Sequence, residues 1–473
     1  MAFQKQLPKK SEDLSAWYNA VILQSELADY GPAKGTMIFR PYGYAIWEII
    51  QRHLDADIKR RGVENAYFPM FIPEHLLHKE KEHVQGFSPE LAVVTIGGGE
   101  KLQEPLVVRP TSETIMYDTF ARWVQSWRDL PLQINQWNNV VRWEKRTYLF
   151  LRTTEFLWQE GHTVHATHDE ALATVHWAMD TYKNLYRDVF ALPGYIGRKS
   201  DGEKFAGADM TLTYETLMPE GKALQSCTSH DLGQNFAKSF DIQFQSPNGV
   251  QQYAWQTSWG LSTRSIGGLI MAHGDDKGLR LPPKLAPVQI VILPVRAEEE
   301  IIVACREIAA TLQREGFRVK VDDEPGQTIG WKFNKWELRG VPLRIEVGKR
   351  ELEEGVLTIA RRDTGEKVRI RIDDLPRAIG ELLGDIQATL LAQADAFLQS
   401  STHEVRTWEE FKTYMNAGRG FLRSYWCGSR DCESQIKEET KATTRCFSGT
   451  LAGGTCIRCG KETEEQWYFA QAY

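Results

Sequence analysis

Five segments hold residues whose types and grouping point to chemistry on an anionic substrate. They are Arg109-Pro-Thr-Ser-Glu113, Val140-Val-Arg-Trp-Glu144, Leu151-Arg-Thr-Thr-Glu-Phe-Leu-Trp-Gln-Glu-Gly-His162, Gln225-Ser-Cys-Thr-Ser-His-Asp-Leu-Gly-Gln-Asn235 and Gly260-Leu-Ser-Thr-Arg-Ser-Ile-Gly-Gly268. Arg142, Arg152 and Arg264 each carry a planar fork of N–H donors that grips phosphate or carboxylate oxygens in pairs, which lysine does not match. Hydroxyls, carboxylates and imidazoles surround them.

A second group lies further along. Cys427 and Cys432 flank four residues, and Cys456 and Cys459 flank two. Two close pairs from separate hairpin-like segments match a tetrahedral structural Zn²⁺ site. Such a closed site has no open coordination position, so it contributes folding energy and no catalysis. Cys446 is left as a spare thiol. The plainer alternative is a set of buried cysteines in a reducing cell.

The elements that must position these residues fall into three stretches. In the first, Pro41 fits the opening turn of a helix with Ile46, Ile49, Ile50, His53, Leu54 and Ile58 on one stripe, and Gly62 is placed to end it. Residues 63–72 read as extended and interrupted at Pro69. Strands follow at 106–109, 139–143 and 156–163, with helices at 112–127 and 168–189, an antiparallel-rich α+β pattern. Beyond the proline-rich joint at 281–287, the pattern alternates strand and helix. Strands at 288–293, 318–321, 343–347, 356–360 and 368–372, with helices at 297–314 and 375–398, predict a compact α/β sheet. The last stretch is aromatic and cysteine-rich. The expected division is 1–283, 284–400 and 401–473.

At 473 residues, the chain has room for about three domains, which excludes a single small binding module. Apolar residues at 42% and charged residues at 25% exclude a mostly disordered or collagen-like chain. Fifty-seven basic against 63 acidic side chains give a net charge of -6, so a nucleic-acid partner has to be met by local basic surface. No run approaches the roughly 18 apolar residues that cross a bilayer, and the opening MAFQKQLPKKSEDLS lacks a leader's apolar stretch. The expectation is a cytoplasmic protein with no membrane partner.

Taken together, the order of these motifs resembles the class II aminoacyl-tRNA synthetases, and among them the prolyl-tRNA synthetase family of archaeal and eukaryotic-like type. The 62–71 segment with Pro69 resembles class motif 1. Arg142-Trp-Glu144 through Arg152 and Phe156 resembles motif 2, and Arg264 between its flanking glycines resembles motif 3. Thr111-Ser-Glu113 and Thr228-Ser-His230 extend the likeness, which covers nearly the whole chain. It implies an antiparallel-sheet catalytic domain, an α/β anticodon-binding domain, a small zinc-binding α/β C-terminal domain, and self-association as a homodimer through motif 1.

The resemblance also implies roles. The activity would be that of a proline–tRNA ligase, joining L-proline to ATP as an adenylate and passing it to tRNA(Pro), with Mg²⁺ assisting. Arg142 would bridge the amino-acid carboxylate and the α-phosphate, drawing the reacting atoms together. Arg152 and Arg264 would hold the far phosphates, Phe156 would stack on adenine, and Glu144 would accept its amino hydrogens. Thr153, Gln225, Thr228 and Ser262 would complete the nucleotide site. Thr111 and Glu113 would accept from the secondary ammonium of proline, with Trp158, Glu160, His162 and His230 forming the surrounding wall. No general base is needed, because the carboxylate is already anionic.

In 331–351, Phe333, Glu337, Arg344 and Arg350 resemble the family's anticodon readers. Guanine edges are read by arginine forks or carboxylates, and Phe333 would stack on an unpaired base. Bacterial-type relatives carry an editing insertion between motifs 2 and 3. Here, matching family segments occupy the stretch from Glu160 to Arg264, so no editing is expected.

Other features have plainer readings. His162, His165, His168 and His176 read as ordinary histidines rather than a metal cluster, and Cys227 with His230 resembles a catalytic dyad but has no evident third group to orient it. Residues 97–99 read as a mobile glycine loop. The functional alternatives are a synthetase for another amino acid of the same subgroup, such as threonine or glycine, and a catalytically silent paralogue that binds RNA.

Overall fold

The computed structural model describes residues 7–77, 79 and 91–473. The first residues of the leader reading, 1–6, lie outside it. Pro41 opens helix α1 (Pro41–Arg60), whose stripe of Ile46, Ile49, Ile50, Leu54 and Ile58 is buried, and Gly62 follows its end at φ +86°. Strand β1 (Glu64–Asn65) is short, and the chain resumes as β2 (Phe71–Pro73). The extended reading of 63–72 therefore resolves into two pieces, joined through Pro69, which cannot donate to a ladder. β3 (Ala92–Gly97) and β4 (Glu100–Val108) form a hairpin over Gly98 and Gly99, both at positive φ. Residues 97–99 are thus a strand end and a tight hairpin turn, not a loop.

Helix α2 (Glu113–Trp123), strands β5 (Leu132–Val141) and β6 (Glu155–His165) and helix α3 (His168–Asn184) come next, followed by β7 (Gly194–Arg198), β8 (Met210–Leu217), β9 (Ala223–Gly233), β10 (Trp255–Ser262) and helix α4 (Arg264–His273). One seven-stranded sheet gathers seven of these strands in the order β1-β5-β6-β10-β9-β8-β7. All its pairs are antiparallel except β1 with β5. α3 packs behind it, where Tyr182 donates to Gln159 at 2.5 Å. The stretch from Glu160 to Arg264 thus holds the second half of β6, all of β7 to β10 and helix α3.

The middle unit contains β11 (Ile290–Pro294), α5 (Glu299–Arg314), β12 (Val319–Val321), α6 (Ile329–Leu338), β13 (Leu343–Val347), α7 (Lys349–Glu354), β14 (Val356–Arg361), β15 (Lys367–Arg371) and α8 (Leu375–Ser400). Its sheet runs β12-β11-β13-β14-β15, parallel in the first three strands and antiparallel in the rest. Ile290, Ile292, Ile345 and Leu357 are fully buried against α5 and α8. The last unit has β16 (Thr402–Glu404), β17 (Phe421–Tyr425), α9 (Arg430–Thr440), β18 (Thr443–Thr455) and β19 (Glu462–Ala470), ordered β16-β17-β19-β18. Among the described residues, no helix is long and apolar enough to cross a membrane.

Candidate active site

Strand alternation explains why residues far apart in sequence meet. On β6, positions 156, 158, 160 and 162 share one face. Across the ladder His162 lies opposite Ser258, Glu160 opposite Gly260 and Trp158 opposite Ser262. The next pairs continue the row, with His230 opposite Ser258 and Thr228 opposite Gly260, then Thr211 opposite His230. This face forms the floor of a cavity of about 290 Å³. Thr111, Glu113, Arg142, Phe156, Trp158, Glu160, His162, Gln225, Thr228, His230, Ser262 and Arg264 all line it.

Glu144 and Arg152 line an adjoining cavity of about 450 Å³ that shares Arg264, and they pair at 2.7 Å. Arg142 donates from Nε to the Pro110 carbonyl at 3.1 Å, and its guanidinium lies 5.5 Å from the ring centres of both Phe156 and Trp158. Arg264 donates from Nε to Leu151 O at 3.0 Å. Burial, then the neighbouring Arg142 and Arg152 cations, bring Arg264 down to about 10. Three like charges so close call for a polyanion. Thr153 stands apart. It is buried, lines neither cavity, and donates to the Glu155 carbonyl at 2.6 Å.

The carboxylates of the cavity are tightly held. Thr111 bonds Glu113, and Glu160 accepts from Ser112, from Gln136 at 3.0 Å and from Asn138 at 2.6 Å. His162 contacts Glu160 at 3.1 Å and the Tyr117 hydroxyl at 3.1 Å. Ligand atoms of Glu113, Glu160 and His162 lie within 4.8 Å of one another, yet these hydrogen bonds already engage them. Burial, then the nearby His162 and Lys199, lower His230 to about 3, so its ring is neutral, and it sits 2.9 Å from Thr211 Oγ1. His168 pairs with Asp231 at 2.7 Å and stacks on Trp255.

Sequence reasoning missed Lys199, Glu203, Phe205, Thr211 and Ser258, which also line the cavity. Ser258 shares the parity of Gly260 and Ser262, a signal that finds it. Tyr473 lines the adjoining cavity with Arg146, Tyr148 and Arg152, and Lys222 Nζ lies 5.0 Å from its ring centre.

In the middle unit, the Arg344 guanidinium lies 4.0 Å from the Phe333 ring centre. Glu337, one turn beyond Phe333 on α6, pairs with Lys277 at 3.1 Å. Arg350 is exposed on α7 and pairs with Glu354. The four cysteines converge, with ligand sulfurs within 4.8 Å of one another, Cys427 3.7 Å from Cys432 and 3.8 Å from Cys459. Tetrahedral Zn–S bonds of roughly 2.3 Å place sulfurs about 3.8 Å apart, so the set fits. One pair comes from a strand-to-helix connection, because Cys432 lies in the first turn of α9; only Cys456 and Cys459 sit in a hairpin connection.

An antiparallel-rich sheet flooring a cavity lined by Arg142 and Arg264, with Arg152 in the adjoining cavity and an α/β unit following in the chain, defines a class II aminoacyl-tRNA synthetase. Residues 96–273 match the tRNA synthetase class II core domain (G, H, P, S and T), 289–382 the anticodon binding domain, and 408–473 the C-terminal domain of prolyl-tRNA synthetase. The chain is 52% identical to the proline–tRNA ligase of Chlorobaculum tepidum, covering 99% of each chain. It is 48% identical to that of Natranaerobius thermophilus, covering 100% of this chain and 99% of the relative. A crystal structure of prolyl-tRNA synthetase from Cryptosporidium parvum, complexed with halofuginone and AMPPNP, superposes with a TM-score of 0.95 at 43% identity, covering 99% of each chain. The chain belongs to the prolyl-tRNA synthetase family. None of these relatives supports the silent-paralogue alternative.

Proposed function

We propose that this protein is a proline–tRNA ligase that makes prolyl-adenylate from L-proline and ATP with Mg²⁺ and transfers proline to tRNA(Pro). The carrying observation is that Arg142 and Arg264 line the same cavity as the Glu113–Glu160–His162 group, with the Arg142 guanidinium 5.5 Å from the ring centres of Phe156 and Trp158. Arg142 binds the proline carboxylate and the α-phosphate together. Arg264 and Arg152 draw the remaining phosphates into line, so that positioning and charge neutralisation supply the rate. Phe156 and Glu144 take the adenine, with Gln225, Thr228 and Ser262 completing the nucleotide contacts. Thr111 and Glu113 accept from the secondary ammonium, while Trp158, His162 and His230 enclose the ring. Proline-dependent pyrophosphate exchange tests the reading, with threonine and glycine as controls; exchange with either of those and not with proline overturns it.

The same reading divides the chain into a catalytic unit at 1–283, an anticodon-binding unit at 284–400 and a zinc-binding unit at 401–473. Cys427, Cys432, Cys456 and Cys459 hold Zn²⁺, which stabilises the last unit's fold. Phe333, Glu337, Arg344 and Arg350 read the anticodon. The protein works in the cytoplasm as a homodimer through the 62–71 segment, where Tyr67 and Phe71 are exposed. Light scattering on the purified protein measures that state.

A further inference from the structure

The cysteine-rich unit packs on the edge strand of the catalytic sheet. Tyr195 of β7 stacks on Tyr468 with ring centres 4.1 Å apart. At Gly197, a Cβ would lie 2.0 Å from the Phe447 carbonyl, so only glycine permits this approach. Beyond β7 the chain carries Lys199, Glu203 and Phe205 onto the wall of the active-site cavity, with the Phe205 ring 4.6 Å from that of His230.

One buried carboxylate ties that wall to the other unit. Glu215 on β8 is fully buried and accepts at Oε2 from Arg445 Nε at 3.1 Å and Nη2 at 2.8 Å. Its Oε1 accepts from Thr213 at 2.8 Å and lies 3.6 Å from Lys199 Nζ. Arg445 belongs to β18, between α9 and the second cysteine pair. Ser200, next in the chain after Lys199, is held in the same way, since it donates to Glu433 at 2.7 Å, and Glu433 directly follows Cys432. A carboxylate gripped at one oxygen by a guanidinium cannot rotate to close fully on the lysine. At 3.6 Å the lysine contact is an ion pair longer than a hydrogen bond, which keeps the ammonium at the cavity wall.

We infer that Arg445 is a positioning residue for the amino-acid pocket. By fixing Glu215 it sets where Lys199 and the segment through Phe205 stand, so the cysteine-rich unit governs proline binding without touching proline. This rests on the proposed proline–tRNA ligase reading.

The test is pyrophosphate exchange by the full chain, with KM for proline and for ATP measured separately. Arg445→Met is expected to raise KM for proline about ten-fold, with KM for ATP and kcat little changed. Arg445→Lys should recover part of the loss. Lys199→Met should produce the same shift, and Lys199→Met with Arg445→Met no more than either alone. If Arg445→Met does not fold, Glu215→Gln with Arg445→Met removes the buried charge pair together, and the same proline-selective shift is expected. Equal rises in both KM values, a fall in kcat alone, or additive effects of Lys199 and Arg445 overturn the inference. Absence of proline-dependent exchange in the unaltered protein instead overturns the functional reading itself.

Discussion

Glu160 and His162, two positions apart on β6 and both buried, meet at 3.1 Å between carboxylate and ring nitrogen. Burial alone would raise Glu160, but bonds from His162, Ser112 and Asn138 hold it below its ordinary 4.5. Burial would lower His162, but Glu160 and the Glu113 charge hold it above 6.5. The Glu160 contribution to stability is present above pH 4.5 and is lost as pH falls through its depressed value. The His162 contribution is present below pH 6.5 and is lost as pH rises through its raised value. The pair is therefore strongest between pH 4.5 and 6.5. His162→Gln should cost about 2 kcal/mol near pH 6, and urea unfolding at pH 9 should show a smaller gap. A gap independent of pH would count against the pair.

Arg264 is held by Leu151 O through Nε at 3.0 Å and lines both cavities. Lysine keeps the charge but not the fork. Arg264→Lys should lower kcat for pyrophosphate exchange by roughly 10²- to 10³-fold, with KM for proline changing far less. A comparable loss of proline affinity would move Arg264 out of the phosphate role.

Much of this site was legible because its residues are chemically distinctive and cluster in short segments, as in Arg152 through His162. Ser258 was passed over because the strand that sets His162, Ser258 and His230 in one row was not read from the sequence. Lys199, Glu203 and Phe205 were not legible, because they reach the wall only through the packing of β7 on β18, a contact between residues more than 200 positions apart that no local pattern encodes. Thr153 stands beside Arg152 in the motif, and its hydroxyl donates to Glu155 O, a local contact that the motif does not announce. The fold was read well where periodicity is strong, as at 343–347, and poorly at 63–72, where irregular backbone around Pro69 separates two short strands.

Phe333 and Arg344 form a face-on pair in the middle unit, a platform on which a base can stack beside an arginine fork. Arg344→Ala should cost about 1–3 kcal/mol in tRNA recognition, seen as a raised KM for tRNA(Pro) in charging. Glu337→Ala should also lower charging. Pyrophosphate exchange without tRNA should be nearly unchanged in both; equal losses in the two assays would show that the residues support the fold and not the RNA.

With the proposed zinc bound, the four cysteines of the last unit would cross-link the segment after β17, the first turn of α9 and the β18–β19 connection. Cys456 is buried in that unit's core beside Trp426 and Trp467, so loss of metal there exposes apolar surface as well as thiolates. Dialysis against a chelator should release about one zinc per chain and lower the melting temperature, and Cys456→Ser should reproduce the drop without chelator. Because Glu433 follows Cys432 and accepts from Ser200, which directly follows Lys199 of the cavity wall, hydrogen exchange should rise both in α9 and in the backbone around Ser200 when the metal leaves. Faster exchange confined to the cysteine connections, with α9 and Ser200 unmoved, would show that the metal stabilises only its own loops.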